Sequence, residues 1–98
     1  MKNKAMNALL EMGMPANIKG FRYIAEAMAL FEEDRAWRLK LTALYYKIAE
    51  MNAVTPAGVE SAIRYAFSIV LTKGYLEAVE KYLTMQNTTN GNLLSVFF

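Results

Sequence analysis

Apolar residues recur every three or four positions along most of the chain, which predicts a series of amphipathic helices. The first predicted helix spans residues 4–12 and ends before Gly13, a residue suited to a left-handed cap. The second runs over residues 18–33, and Asn17 is its predicted N-cap. Asp34 is predicted to cap a further helical segment that follows directly.

The middle of the chain predicts two helices separated by a very short turn. The first spans residues 42–51. The second begins after Thr55, a favoured N-cap residue, and places Pro56 at its first position, where the missing N–H costs nothing. Its apolar stripe continues for three turns and ends near Lys73 and Gly74, a basic last turn followed by a capping glycine.

The remainder of the chain predicts one more helix and little else. Residues 75–83 show helical periodicity, polar residues 84–92 predict a loop, and residues 93–98 predict a short docked turn. No alternating pattern typical of strands appears. We therefore predict an all-α fold, a compact bundle of about six helices that forms a single domain over residues 1–98.

The two central helices match the steric pattern of a helix-turn-helix from about Tyr45 to Arg64. Ala49 supplies the small residue where the helices cross, and Ala53 stands at the turn position where glycine is usual. Asn52 is less typical, because its position is often apolar. An ordinary antiparallel pair of helices satisfies the same pattern, so DNA-binding and purely structural interpretations both stay open.

Composition excludes many classes of enzyme. The chain has no cysteine and no histidine, which removes thiol nucleophiles, thiolate metal sites and the commonest general base. The acidic run at residues 32–34 lacks the alternating oxygen ligands of a calcium loop. We expect no enzyme activity, no metal and no cofactor.

Charge and hydropathy permit a nucleic-acid partner without requiring one. The net charge is +2, which is modest for a dedicated nucleic-acid binder. No apolar run is long enough to span a bilayer. We therefore expect a cytoplasmic protein with no membrane partner.

Two segments carry residues that helical periodicity does not require: Pro-Ala-Asn-Ile-Lys-Gly at residues 15–20 and Val-Glu-Ser-Ala-Ile-Arg at residues 59–64. With Leu44-Tyr45, Gly74 and Thr89-Asn90, they resemble the C-terminal DNA-binding effector domain of the bacterial sporulation-initiation response regulators (stage 0 sporulation protein A type). The resemblance covers nearly the whole chain. It implies a transcription-regulating domain whose partner is double-stranded DNA, with tandem homodimerisation on DNA and contact with RNA polymerase as further expectations. In that family the domain follows a phosphoacceptor receiver domain, which alone needs more residues than this whole chain. We therefore expect either an excised domain of a longer protein or a stand-alone relative, and both alternatives stay open.

The second helix of the pair is the predicted recognition helix, over about residues 56–72. Its base-reading candidates are Ala57, Gly58, Glu60, Ser61, Arg64 and Tyr65. Arg64 is the strongest of them, because a guanidinium can bind guanine O6 and N7 together. Its alternative role is a salt bridge to Glu60. The candidates for phosphate contacts are Lys40, Lys47, Thr55 and Lys73.

The chain departs from the family on this same helix. The family carries arginine where this chain has Gly58 and Ser61, and histidine at Tyr65. The loss of two cationic side chains should weaken DNA binding, change the target sequence, or both. An alternative function therefore stays open: a protein-interaction or self-association module on the same fold, with weakened or lost DNA binding.

Overall fold

The computed structural model describes residues 2–83 and 89–98, which form helices joined by short connections and include no strand. The helices are α1 (Lys2–Glu11), α2 (Lys19–Glu33), a 3₁₀ helix (Arg35–Leu39), α3 (Leu41–Asn52), α4 (Pro56–Lys73), α5 (Leu76–Tyr82) and α6 (Asn90–Phe97). The predicted all-α bundle of about six helices is confirmed for these residues. Among the described helices, none has the length and hydropathy needed to cross a bilayer.

Helix α2 lies at the centre of the bundle and packs against α1, α3 and α4. It is buried on nearly every side, as expected of a helix that is apolar around most of its circumference. The predicted apolar stripe of α4 forms its inward face: Val59, Ile63, Ala66, Phe67 and Val70 are buried, and Ala62 is half-buried. Burial of these side chains fixes which face of α4 points inward, and thereby which face points to solvent.

Helices α2 and α4 approach each other closely at Gly20. A Cβ atom built on this glycine would lie 2.2 Å from the carbonyl oxygen of Ala62 and 2.6 Å from Cβ of Ala66. Real Cβ atoms do not approach backbone oxygens so closely, so any larger residue here would force the helices apart. This contact explains why the segment at residues 15–20 ends in glycine.

Two glycines end helices for different reasons. Gly13 follows α1 with a φ of +89°, so the predicted left-handed cap is confirmed. Gly74 is confirmed as the residue that caps α4, but with an ordinary φ of −76°. Its requirement is space, because a Cβ atom would lie 2.6 Å from the carbonyl oxygen of Met12. The end of α4 thus packs directly on the end of α1.

The predicted caps of the second and third helical segments have different outcomes. Asp34 is confirmed as a cap, since its carboxylate accepts a hydrogen bond of 2.9 Å from the backbone N–H of Ala36. Asn17 is not the N-cap of α2. Ile18 occupies that position in an extended conformation without a side-chain cap, and its carbonyl accepts from the N–H of Phe21. Helix α2 is held by its buried side chains rather than by a polar cap.

The C-terminal segment is more helical than its composition predicts. The predicted loop at residues 84–92 is wrong for residues 90–92, which begin α6, and residues 84–88 lie outside the described residues. The predicted terminal turn at residues 93–98 is instead the body of that helix. Leu93, Leu94 and Phe97 are buried at helical spacing while Val96 is exposed, and α6 packs against α2, α4 and the 3₁₀ helix. Polar Asn90 is itself buried, so a polar composition did not indicate exposure here.

Candidate nucleic-acid interface

The turn between α3 and α4 uses the unusual backbone predicted from the sequence. Ala53 has a φ of 54° and a ψ of 44°, in the left-handed region. An alanine there costs about 1 kcal/mol relative to the right-handed region. The turn is closed by a 3.0 Å hydrogen bond from the N–H of Val54 to the carbonyl oxygen of Ala49. Ala49 is 3% exposed, so the small residue predicted for the crossing is buried.

The start of α4 is fixed by the predicted cap. The Thr55 hydroxyl accepts a 3.1 Å hydrogen bond from the N–H of Gly58, and Pro56 occupies the first helical turn. Val59 is fully buried just beyond. The cap and this buried side chain together set where α4 begins and which way its first turns face.

Asn52, the polar residue at a usually apolar position, binds a buried carboxylate. Its Nδ2 donates to Oε1 of Glu26 at 2.7 Å and to the carbonyl oxygen of Ile48 at 2.8 Å. Glu26 lies on α2, is 4% exposed, and also pairs with Nε of Arg22 at 3.5 Å. Because a buried carboxylate is costly without donors, Asn52 stabilises it and ties the end of α3 to α2. The sequence showed the unusual asparagine but not its partner.

The predicted base-reading residues share the outward face of α4. Five of the six are exposed and Glu60 is half-buried: Ala57, Gly58, Glu60, Ser61, Arg64 and Tyr65. Tyr65 is 61% exposed, although its side chain is large and mostly apolar. Ser68 continues the same face by one further turn. The structure therefore brings these residues together on one surface, beginning at the capped end of the helix.

Arg64 and Glu60 form a salt bridge, the alternative role foreseen for this arginine. Both side chains remain substantially exposed, at 62% and 45%. An exposed pair one turn apart contributes about 0.3–0.5 kcal/mol, whereas a bidentate contact to a base contributes about 1–3 kcal/mol. The guanidinium also has five N–H donors, so the pair orients Arg64 without preventing it from binding a second acceptor.

The predicted phosphate contacts are spread over the molecule. Lys40 is exposed and immediately precedes α3. Lys47 lines a depression with Glu26 and Glu33, on the side of α3 that faces α2. Lys73 lies in the last turn of α4, about 24 Å along the helix from Ala57.

Thr55 and Lys47 also have partners within the protein. The Thr55 hydroxyl caps α4, and the Lys47 ammonium lies 3.8 Å from a carboxylate oxygen of Glu50. Lys40 is therefore the predicted phosphate contact that the structure leaves most available near the beginning of the helix pair.

The family described as "Sporulation initiation factor Spo0A C terminal" has a model that matches residues 5–97 of the chain. The chain belongs to this family. Spo0A C-terminal domains are DNA-binding, transcription-regulating effector domains of sporulation response regulators, and they are not an enzyme family. The resemblance read from the sequence is thereby confirmed, and the match includes α4 and the whole helix-turn-helix.

In this member of the Spo0A family, a groove of about 590 Å³ opens beside the outward face of α4. It lies between the beginnings of α3, α4 and α6, and Tyr45, Glu60, Arg64 and Asn90 all line it. Asn90 is 8% exposed, and its Nδ2 donates to the backbone carbonyl oxygen of Glu60 at 3.0 Å. Sequence reasoning placed Asn90 in a loop and missed this contact. The Thr89-Asn90 pair within the family resemblance was the available signal.

Tyr45 completes this buried polar cluster. Its side chain is 7% exposed and lines the same groove as Asn90. Burial raises the pKa of the Tyr45 phenol above its ordinary value of 10.0, and the negative charge of Glu60 adds to the rise. The Asn90 amide and the positive charge of Arg64 act in the opposite direction. The phenol therefore stays protonated at neutral pH and well above it.

Proposed function

We propose that the chain binds double-stranded DNA sequence-specifically, in the bacterial cytoplasm, with the first half of α4 in the major groove. The observation that carries the proposal is the outward face of α4 in a member of this DNA-binding family. Its residues are exposed together, directly after a capped helix start, while the opposite face is buried on α2 and α3. Recognition helices present their first turns to base edges in this way.

The chemistry of this face supports readout by one long side chain among short ones. The major groove is about 12 Å wide, which admits an α-helix. Ala57, Gly58 and Ser61 are short, so they allow the helix backbone to approach the base edges. Arg64 then supplies the strongest base contact, and Tyr65 offers an apolar ring to a thymine methyl group. Such a face carries less charge than one with two further arginines, so its non-specific affinity should be low.

A selection from a randomised duplex pool, followed by binding titrations, tests this function. Fluorescence anisotropy would compare the enriched duplex with a scrambled one between about 50 and 200 mM salt. We expect tighter binding to the enriched duplex, and an affinity that falls linearly with the logarithm of salt concentration for both. No enrichment, or weak binding that is independent of salt, would contradict DNA recognition and favour the protein-interaction module.

Family membership also supports assembly on DNA. We propose that two copies bind adjacent boxes in tandem. A titration of a duplex with two copies of the enriched sequence should then saturate at two molecules, more tightly than a duplex with one copy. Saturation without any gain over the single box would mean that the copies bind independently. Contact with RNA polymerase stays a prediction that follows from family membership alone.

A further inference from the structure

The polar cluster beside the outward face of α4 brings together side chains of three helices. Asn90, at the start of α6, donates to the backbone carbonyl oxygen of Glu60 in α4, and Tyr45 of α3 lines the same groove. Within α4 the carbonyl oxygen of Glu60 is also the normal acceptor for the N–H of Arg64, and a carbonyl oxygen has two lone pairs. A buried donor from another helix therefore binds α4 at the turn that carries Glu60 and Arg64, at the boundary between its inward and outward faces.

We propose that Asn90 is a positioning residue for DNA readout, which holds α4 at the rotation where Glu60 and Arg64 meet the bases. This proposal rests on the proposed function. Helix side chains reach about 5–6 Å from the helix axis, so a rotation of about 10° moves their tips by about 1 Å. Base readout tolerates misplacement of only about 0.5 Å. A bond that prevents a small rotation is therefore enough to control discrimination.

The apolar contacts of α4 fix which of its faces is buried, and a directional bond refines the rotation further. Its buried face contacts α2 and α3 through apolar side chains, whose attraction is non-directional. Gly20 limits the approach of α4 to α2, but it does not bind α4. Asn90 adds a directional hydrogen bond at the turn that carries Glu60 and Arg64.

The proposal separates specific from non-specific binding. Affinity for random DNA arises mainly from charge and phosphate contacts, which a small rotation of α4 changes little. Affinity for the preferred sequence requires aligned base contacts. Asn90→Ala should therefore lower the ratio of specific to scrambled affinity by about tenfold, while affinity for scrambled DNA changes by less than about twofold.

Two further variants distinguish the loss of the Asn90 hydrogen bond from a loss of side-chain volume and from a general loss of stability. Asn90→Asp keeps the shape of the side chain but replaces its amide donor with an acceptor, so it should lose discrimination as Asn90→Ala does. Val79→Ala removes buried volume in α5, away from the groove, and serves as a destabilised control. All variants are compared at a temperature where each is folded. Equal loss of discrimination in Val79→Ala, or full retention in both Asn90 variants, would overturn the proposal.

Amide hydrogen exchange provides a readout that does not depend on DNA. In Asn90→Ala, exchange of the Arg64 N–H and its neighbours should accelerate about fivefold, whereas exchange near Val70 in the same helix should not change. Unchanged exchange at Arg64 would show that Asn90 does not hold α4. If the wild-type chain discriminates between no DNA sequences, the proposed function fails and the readout role fails with it. Faster exchange at Arg64 would still establish the mechanical link between α6 and α4.

Discussion

Gly20, which contacts α4 from α2, and Gly58, which belongs to α4, stand in opposite environments. Gly20 faces the inward side of α4, where an added Cβ would lie 2.2 Å from a backbone oxygen. Gly58 lies on the outward side, where an added Cβ would meet the Thr55 hydroxyl oxygen at 3.1 Å and, among the described residues, no other heavy atom outside its own helix backbone and chain neighbours. The inward side of this helix is therefore closed to substitution, and the outward side is open to it.

This difference explains how the chain keeps its fold while departing from the family pattern. The departures at Gly58, Ser61 and Tyr65 all lie on the outward face, where a change alters no buried contact. The inward residues Val59 and Ile63 retain the family resemblance and are fully buried. Packing constrains one side of α4, and under the proposed function the DNA target constrains the other.

The largest expected loss of stability comes from adding a side chain at Gly20, where α2 and α4 cross. Gly20→Ala should destabilise the fold by about 3 kcal/mol or more, because backbone atoms must move to admit the methyl group. For a domain of this size the melting temperature should fall by more than about 10 °C. Thermal unfolding followed by circular dichroism measures this loss.

The matched control is the glycine on the open side. Gly58→Ala should change stability by no more than about 1 kcal/mol, since improved helix propensity opposes crowding of the Thr55 cap. Similar melting temperatures for the two alanine variants would contradict the contrast between the two faces of α4.

A smaller loss of stability is expected when the buried hydrogen bond between α3 and α2 is removed. Asn52→Ala removes the 2.7 Å donor from the buried carboxylate of Glu26, which should cost about 2 kcal/mol in urea unfolding. Asn7→Ala, on the exposed surface of α1, is the matched control and should be nearly neutral. The double variant Glu26→Gln with Asn52→Ala should lose less than the sum of its parts, because the charge is gone. Simple additivity would show that the two side chains are not coupled.

Much of the fold followed from local signals in the sequence, although the N-cap predicted at Asn17 was wrong. The Thr55 cap, the left-handed backbone at Ala53 and the apolar stripe of α4 each depend on residues within a few positions of one another. The polar contacts were missed because their partners are distant in sequence. Glu26 and Asn52 are 26 positions apart, and Glu60 and Asn90 are 30 apart. Hydrophobic periodicity carries no information about such pairs.

On the outward side of α4, the expected effect is on the affinity for DNA rather than on stability. Arg64→Ala should weaken binding to the preferred duplex by about 1–2 kcal/mol, since a bidentate base contact is lost and the exposed pair with Glu60 offsets a small part. Discrimination at one base pair should disappear, and the melting temperature should hardly change.

Lys40→Ala is the matched cation variant away from α4. It should weaken binding to all sequences alike and reduce the salt dependence by about one unit, as expected for a phosphate contact. If Arg64→Ala and Lys40→Ala behave identically on preferred and scrambled duplexes, Arg64 is only a phosphate contact.

The smallest expected effect arises at Tyr45, which lies at the boundary between the two faces of α4. Burial raises its pKa in the folded state above the ordinary value of 10.0. Below pH 10 the folded and unfolded states both hold the proton, so stability does not depend on this group. As the pH rises above 10, the unfolded chain releases the proton first, and stability is lost progressively until the folded-state pKa is reached.

Tyr45→Phe should therefore lose less stability than the wild type between pH 9 and 11, measured by urea unfolding. Tyr65→Phe controls for the removal of one phenol from the exposed surface. An alkaline loss that is the same in Tyr45→Phe as in the wild type would mean that the Tyr45 phenol is not buried beside Asn90 and Glu60 in solution.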